Sequence, residues 1–401
     1  MDRLILPDAE WRHRDGLAAL AALLAADGGG ARFVGGAVRD TLLGLPVTDV
    51  DIATPLDPQT VMRRLQAAGI RAVPTGIAHG TITAVLPGSP IEVTTLRHDI
   101  ETDGRHATVA FTADWQADAA RRDFTMNALY ADPATGEIFD YFDGLDDLKA
   151  GRVRFIGDPL QRIAEDHLRI LRFFRFHARF GDTPDSVGLE ACAARANDLM
   201  ALSRERIAAE LLKLLVARGA AETAALMLSR GIFAPVLPEI DQPGVARLAR
   251  VVDAERRAGL TPNPIRRLAA LLPDDPAVGE AVGARLKLSN ADRKRLISAL
   301  VDETGAPQPL AYRLGAELAI DRWLLHAADP IATVRAIAAW PIPRFPLTGG
   351  AIVARGVAKG PEVARLLRAV EDQWIAEGFP DAARADAIAD QAVASWLRSA
   401  R

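Results

Sequence analysis

Beyond about Asp158 this 401-residue chain offers no convincing strand. Long Ala/Leu/Arg segments run from there to the C-terminus with apolar residues at helical spacing, punctuated only by proline and glycine. Before that point, short strand patterns mix with short helices. The division predicts an α+β fold, a mixed-sheet head followed by an all-helical remainder. Strands are expected at Arg32–Val34, Asp49–Ala53, Ile70–Ala72, Thr81–Leu86, Ile91–Thr95 and Ile138–Tyr141. Head helices are expected at Gly16–Ala26, Ala37–Leu43, Pro58–Ala68 and Ala117–Leu129. In the remainder, Pro159–Arg179 reads as one helix, and Leu310–Ile320 and Arg322–Ala328 as two.

The chain exceeds what one hydrophobic core usually organises, so two to four domains are expected. A formal charge of −4 argues against a uniformly basic nucleic-acid coat but leaves room for a local basic groove. Cys192 is the only cysteine, which excludes an intrachain disulfide and a cysteine zinc cluster and suits a reducing cytoplasm. Charge interrupts the N-terminal apolar run too early for a signal peptide, and no run of 18 apolar residues predicts a membrane span.

The chemistry concentrates in Arg32–Thr54, RFVGGAVRDTLLGLPVTDVDIAT. Successive strand side chains point to opposite faces, so Asp49 and Asp51 share one face while Val50 and Ile52 enter a core. Two carboxylates so placed can hold hard cations, and an oxygen-only set suits Mg²⁺, which leaves its other positions to water and substrate phosphates. Upstream, Gly35 and Gly36 let the backbone approach an oxyanion closely, a helix beginning near Ala37 aims free N–H groups there, and Arg39 adds a charge-assisted contact. A bare D-x-D is most often a solvated strand end; the glycines and arginine reverse that reading.

Four further segments bear on the site. Glu92, flanked by Ile91 and Val93 on an expected strand, is a third carboxylate that could complete a metal site or orient an incoming hydroxyl. Arg97–Phe111 is polar and glycine-containing, too long for a tight turn, and reads as a mobile loop beside the site. In RRDFTMNAL (121–129), a helical period sends Phe124, Ala128 and Leu129 to a core and leaves Arg122, Asp123 and Asn127 facing a cleft. In Asp158–Phe180, Arg162, Asp166 and Arg169 fall at i, i+4 and i+7 on one helical stripe, continued by a basic edge of Arg172, Arg175 and Arg179. On spacing alone the last two patterns describe amphipathic helices laced with ion pairs.

Together these segments resemble the class II template-independent nucleotidyltransferases, specifically bacterial tRNA CCA-adding enzymes, with bacterial poly(A) polymerases as close relatives. The matching pieces are VGGAVRDTLLGLPVTDVDIAT, HGTITAV, IEVTTLRHD, DGRH, RRDFTMNAL, GDPLQRIAEDHLRILRFFRF and SRERIAAELLKLL, in the family's order over roughly residues 30–215. The resemblance implies a catalytic head (1–150), a base-recognising neck (151–218), a helical body (219–320) and a tRNA-binding tail (321–401). By position it implies that Gly36 and Arg39 contact the nucleotide and Asp49 and Asp51 bind catalytic Mg²⁺. Arg122 and Asp123 fall where the family handles triphosphate and ribose, Asp166 and Arg169 where it reads the base, with Arg172 and Arg175 nearby on the phosphate side. Arg204–Glu210 matches a motif that props the base-reading helix.

An Asp/Arg pair also fits the bases physically. Cytosine and adenine each show an amine donor beside a ring-nitrogen acceptor, which a carboxylate and a guanidinium complement; uracil and guanine place like partners opposite each other. The implied reaction adds C, C and A to a tRNA 3′ end from CTP and ATP by two-metal nucleotidyl transfer. Arg344, Arg355, Lys359, Arg365 and Arg368 are candidates for tRNA contacts, and monomer and dimer both stay open.

Polyadenylation is the nearest rival, disfavoured by the glycine-rich VGGAVRD form and the absence of a long basic C-terminal extension. A CC-adding enzyme typically lacks the mobile-loop signature that Arg97–His106 carries here, although Glu101 stands near where the family commonly has an aromatic residue. A metal phosphohydrolase in the helical half needs histidines beyond His177, where only His326 is found. A non-catalytic RNA-binding module is disfavoured by retention of Asp49, Asp51, Arg122, Asp166 and Arg169.

Overall fold

The computed structural model describes residues 4–102 and 107–399, with side chains for 4–98 and 110–399. It divides into two units, Met1–Val245 with Arg285–Leu288, and Ala246–Ala284 with Ser289–Arg401. In the first, α1 (Leu17–Ala25), α2 (Gly36–Leu42) and α3 (Pro58–Ala67) accompany a seven-stranded sheet. Its strands are β1 (Arg32–Val34), β2 (Asp51–Thr54), β3 (Arg71–Gly76), β4 (Thr81–Leu86), β5 (Ser89–Thr95), β8 (Leu129–Ala131) and β9 (Ile138–Asp140), in spatial order β3-β4-β5-β2-β1-β8-β9. Only β2 and β5 pair in parallel. Alternation places Ile82, Ala84, Leu86, Ile91 and Val93 in the core while Val85 and Glu92 stay exposed. Asp57 caps α3 by accepting from Thr60 N at 3.0 Å, ahead of Pro58 in the first turn.

Three sequence expectations in the first unit need substantial correction. The segment Arg97–Phe111, expected as a mobile loop, has strand structure where it is described: β6 (Arg97–Thr102) and β7 (Ala107–Phe111) form a two-stranded antiparallel ribbon with a register shift between Asp99 and Glu101. The DGRH stretch at 103–106 lies outside the described residues, as does the Glu101 side chain.

Ala117–Leu129 is not a helix. α4 (Trp115–Ala120) ends early, Phe124 is extended, Thr125–Asn127 makes a 3₁₀ turn, and Leu129 opens β8 between β1 and β9. Backbone pairing overrides the local period here: Thr125 N donates to Arg154 O, Ile156 N to Asp123 O, and Phe124 bridges to Phe155.

Pro159–Arg179 is likewise two helices, α6 (Pro159–Glu165) and α7 (Arg169–Phe180), following α5 (Gly144–Lys149). Asp166 between them is extended (φ −152°, ψ 106°), and its carboxylate accepts from Leu168 N at 3.1 Å, an Asx turn that competes with helix continuation. The i, i+4, i+7 stripe of Arg162, Asp166 and Arg169 therefore does not exist as a helical face. Ring contacts hold α7 to the sheet side: Phe173 stacks on Phe155 at 5.6 Å and Phe176 meets Phe124 at a tilt, 5.2 Å away. α8 (Ser186–Ala194), α9 (Arg204–Leu215) and α10 (Ala220–Ser229) complete the helical side of this unit.

The second unit contains most of α11 (Gln242–Ala258), then α12 (Pro264–Leu271), α13 (Pro276–Arg285), α14 (Asn290–Ala299) and α15 (Pro307–Leu314). α16 (Ala316–His326), α17 (Ile331–Ala339), α18 (Gly349–Ala354), α19 (Pro361–Ala376) and α20 (Ala382–Ser399) follow. The helix expected at Leu310–Ile320 breaks at Gly315 (φ +88°), and its second half runs on through Arg322. A buried ionic lattice lies within: Glu255 holds Arg266 and Arg267 at 2.6 and 2.7 Å, and Asp321 holds Arg266 and Arg295 at 2.6 and 2.7 Å. No described helix is long and apolar enough to cross a membrane.

Candidate active site

The turn from β1 into α2 and the start of β2 meet by strand register. Val34 pairs with Asp51, so the Gly35–Gly36 turn begins beside the Asp51 backbone. Gly35 has φ +69°, a conformation a side chain resists, and it is buried; Gly36 opens α2. On the other side of β2, Asp51 is in register with Glu92 of β5. Asp49 precedes β2 on exposed backbone, so the expected strand starts two residues late, although Val50 is buried as alternation requires.

Burial, the nearby Glu92 and Asp49 carboxylates, and only partial relief from Arg122 raise the pKa of Asp51 to about 6. Negative charge is thus crowded where hard oxygen donors converge, an environment that a divalent cation would relieve. Among the described residues, no group of three or more His, Cys, Asp or Glu side chains is arranged to hold a metal on its own. The pair Asp49 and Asp51 fits the other arrangement, in which substrate phosphates supply remaining ligands.

Arg39 is nearly buried. Its Nε donates to Asp40 at 2.7 Å, its Nη1 donates to Asn127 Oδ1, and its guanidinium lies 4.3 Å from the Phe180 ring centre. Asn127 Nδ2 in turn donates to Asp123 at 3.0 Å, and Asp123 accepts from Arg172 Nε at 2.7 Å. Asp40 accepts from Arg179 at 3.2 Å. The result is a closed circuit, Arg172–Asp123–Asn127–Arg39–Asp40–Arg179, that leaves α7, passes through the sheet unit and returns to α7. Although burial alone would raise the Asp123 carboxyl, Arg172 and Asn127 hold it below the ordinary carboxylate range.

Arg122 belongs to a second cluster. It donates to Tyr130 Oη at 3.2 Å and to Asp118 at 3.1 Å, while Tyr130 Oη donates to Asp118 at 2.7 Å. Burial opposes ionisation of Asp118, but the Arg122 and Arg121 guanidiniums outweigh it and bring its pKa to about 2.

At the break between α6 and α7, Asp166 and Arg169 each have other partners. Arg206 Nη2 donates to both Asp166 oxygens at 2.9 and 3.1 Å. Arg169 donates to Glu165 and, at 2.8 Å, to Arg162 O. Arg175 donates to Glu210 at 2.6 Å. Asp40, Asp118, Tyr130 and Glu165 belong to these clusters although sequence reasoning did not single them out, whereas Arg206 lies in the Arg204–Glu210 stretch expected to prop the base-reading helix. For Asp118 a signal existed, since it stands three and four residues before Arg121 and Arg122; for Arg206 the propping motif pointed to the helix but not to Asp166, 40 residues away, as its partner. Among the expected tRNA contacts, Arg355 is paired with Asp386 and Asp390, and Arg365 with Glu362.

Residues 31–154 match the family described as Poly A polymerase head domain, and residues 185–242 match the family described as Probable RNA and SrmB-binding site of polymerase A. The chain is 37% identical to the mouse (Mus musculus) protein named CCA tRNA nucleotidyltransferase 1, mitochondrial, over 94% of this chain and 90% of that one. It is 42% identical to a CCA-adding enzyme of Anoxybacillus flavithermus over 52% of each chain. The solved structure of Bacillus stearothermophilus CCA-adding enzyme in complex with CTP superposes with a TM-score of 0.72 at 28% identity, covering 90% of this chain and 92% of that one.

Proposed function

The chain belongs to the CCA tRNA nucleotidyltransferase family, and on that premise we propose that it adds C, C and A to the 3′ end of tRNA from CTP and ATP, releasing pyrophosphate. The observation that carries the reading is the register of β1 on β2, which sets the glycine turn into α2 beside the Asp51 backbone. Phosphate cradle and cation ligands have to be neighbours for phosphoryl chemistry, and the pairing of Val34 with Asp51 supports assigning those roles to the Gly35–Gly36 turn and to Asp49 and Asp51.

In this reading Gly35, Gly36 and Arg39 bind the triphosphate, with Arg122, Arg172 and Arg175 adding charge along it. Asp123 and Asn127 orient the ribose. Asp49 and Asp51 would hold Mg²⁺, which when bound neutralises phosphate charge and favours the 3′-hydroxylate of the primer. Glu92 either joins that ligand set or accepts the hydroxyl proton. The remaining acceleration comes from positioning by the α7 circuit, which keeps Arg39 from reorganising as charge develops. Asp166 accepts from the exocyclic amine of C or A and Arg169 donates to the ring nitrogen; a buried polar group left unpaired by U or G costs roughly 1–3 kcal/mol. We further divide the chain into head (1–150), neck (151–218), body (219–320) and tail (321–401), and place it in the cytoplasm, a compartment in which the buried Cys192 thiol stays reduced.

The test is incubation with tRNA ending at the discriminator base, with each nucleoside triphosphate alone and then CTP plus ATP, in Mg²⁺. Three added residues ending in CCA support the proposal. Unlimited A addition replaces it with polyadenylation, and arrest after two C residues replaces it with CC addition.

A further inference from the structure

Asp49 stands near the end of the connection from α2 to β2, residues 43–50, and that connection has little backbone support of its own. Gly44 N donates to Thr41 O and Leu45 N to Asp40 O, which finishes α2. From Pro46 to Asp49, among the described residues, no backbone group pairs with another backbone group. Pro46 brings no N–H, and Leu45, Pro46, Thr48 and Asp49 are all exposed. A carboxylate on unpaired, exposed chain needs some other restraint to keep one geometry.

Arg14 supplies that restraint from the N-terminal segment. Its Nη2 donates to Val47 O and to Thr48 O, both at 3.2 Å, and its Nη1 donates to Ser89 Oγ at 3.2 Å. Thr48 directly precedes Asp49, and Ser89 opens β5, whose Glu92 is in register with Asp51. One planar fork thus ties the approach to Asp49 to the strand that carries Glu92. Arg14 is half-buried, and no carboxylate pairs with it among the described residues, so its side-chain donors go to neutral oxygens. The segment around it is fixed in turn. Three residues earlier, buried Trp11 donates through Nε1 to Thr41 Oγ1 of α2 at 2.8 Å and meets Phe33 of β1 edge-on at 4.8 Å. Trp11 therefore grips the two elements that flank the glycine turn, and Arg14 grips the chain leading to Asp49.

We propose that Arg14 is a positioning residue for nucleotidyl transfer, fixing the backbone ahead of Asp49 so that its carboxylate is held ready for the cation. Arg14 touches no reacting group and acts only through Val47, Thr48 and Ser89. It also lies outside the match to the head-domain family, which begins at residue 31. This role rests on the proposed reading of Asp49 as a metal ligand. The geometry says which constant responds to its loss. The groups assigned to the triphosphate, Gly35, Gly36 and Arg39, lie outside the connection that Arg14 holds, so CTP binding is spared. The attack step is not spared, because a displacement of about 1 Å is enough to slow such a step about a hundredfold.

The test compares the full chain with Arg14→Met, Arg14→Lys and Asp49→Asn. Methionine keeps an apolar stem and removes every donor. Expected for Arg14→Met is a fall in kcat for CMP addition to tRNA of about ten- to a hundredfold, the range for groups that orient a ligand from outside, with KM for CTP unchanged. Mn²⁺ titrated into the protein with CTP and no tRNA, followed by loss of the free-ion electron paramagnetic resonance signal, should bind about tenfold more weakly. Lysine, whose ammonium can donate to both carbonyls, should recover most of both losses. Wild-type kcat and Mn²⁺ affinity in Arg14→Met would overturn the assignment, as would a fall in kcat with Mn²⁺ affinity intact, or a lysine variant as impaired as the methionine one. If thermal melts show that Arg14→Met does not fold, Ser89→Ala decides: removing the β5 end of the bridge should lower kcat about threefold, the scale of one hydrogen bond, with KM for CTP unchanged, and no change would overturn the role. Full activity and Mn²⁺ affinity in Asp49→Asn would instead defeat the metal reading itself, and the role of Arg14 with it.

Discussion

Arg206 donates from a single nitrogen to both oxygens of Asp166 across 40 residues of chain. The carboxylate proposed to read the amine of C or A is thus aimed by α9 as well as by its own backbone. Arg206→Ala should leave Asp166 held by Leu168 N alone. UMP and GMP incorporation relative to CMP and AMP should rise about tenfold, the scale of one charge-assisted hydrogen bond, with little change in melting temperature. Competition assays with mixed nucleoside triphosphates read this out; unchanged selectivity would make Arg206 a packing residue only.

Asp51 carries a stability cost that the proposed metal-binding role would account for. Its carboxyl holds a proton in the folded protein between pH 3.8 and about 6, where the unfolded chain has lost it. Without metal, this group therefore favours folding as pH falls through that window and works fully against it above pH 6. Asp51→Asn, a neutral mimic, should stabilise the metal-free protein at pH 7.5 by up to about 3 kcal/mol, reduced by solvent screening. The gain should vanish toward pH 4, and nucleotide incorporation should be lost at every pH. Thermal melts of both proteins from pH 4 to 8 in chelator check the sign.

Asp123 is buried with Arg172 as its cationic partner. Arg172→Met would strand that carboxylate and should cost about 3 kcal/mol or more. Adding Asp123→Asn should recover part of the loss while leaving ribose recognition impaired. A double-mutant cycle by denaturant unfolding, paired with KM for CTP, separates the two roles.

The second unit offers a control distant in sequence from the chemistry. Asp321 is fully buried and holds both Arg266 and Arg295, so Asp321→Ala leaves the buried Arg266 with Glu255 alone and Arg295 with only the exposed Glu317. Destabilisation of about 3–5 kcal/mol is expected in urea unfolding, with kcat for CTP incorporation unchanged below the transition. A loss of kcat at full folding would show that this lattice reaches the reaction.

The α+β division and the main sheet strands were legible because alternation and turn residues report directly on the pleat, as at Thr81–Leu86 and Ile91–Thr95. The site was legible as residues more than as geometry. Phe124, Ala128 and Leu129 are buried, as the helical period suggested, yet extended backbone buries them: pairing with Arg154 and β1 overrode a local preference that names no backbone state. The break at Asp166 carries no glycine or proline, and the Asx turn that makes it uses a side chain that helices also tolerate. Arg39 and Asn127 were singled out separately, but not their contact or the Phe180 ring beneath Arg39, because residues 39, 127 and 180 come from three separate parts of the chain.

The extended residue between α6 and α7 has one more consequence. In the proposed reading, the order of bases at an RNA terminus is written in no nucleic acid that the enzyme consults. It is stored in the five residues EDHLR and in the bend that parts them. A template can be damaged one copy at a time, but this one is shared by every transcript it finishes. An error in that bend would be inherited by the whole tRNA pool at once.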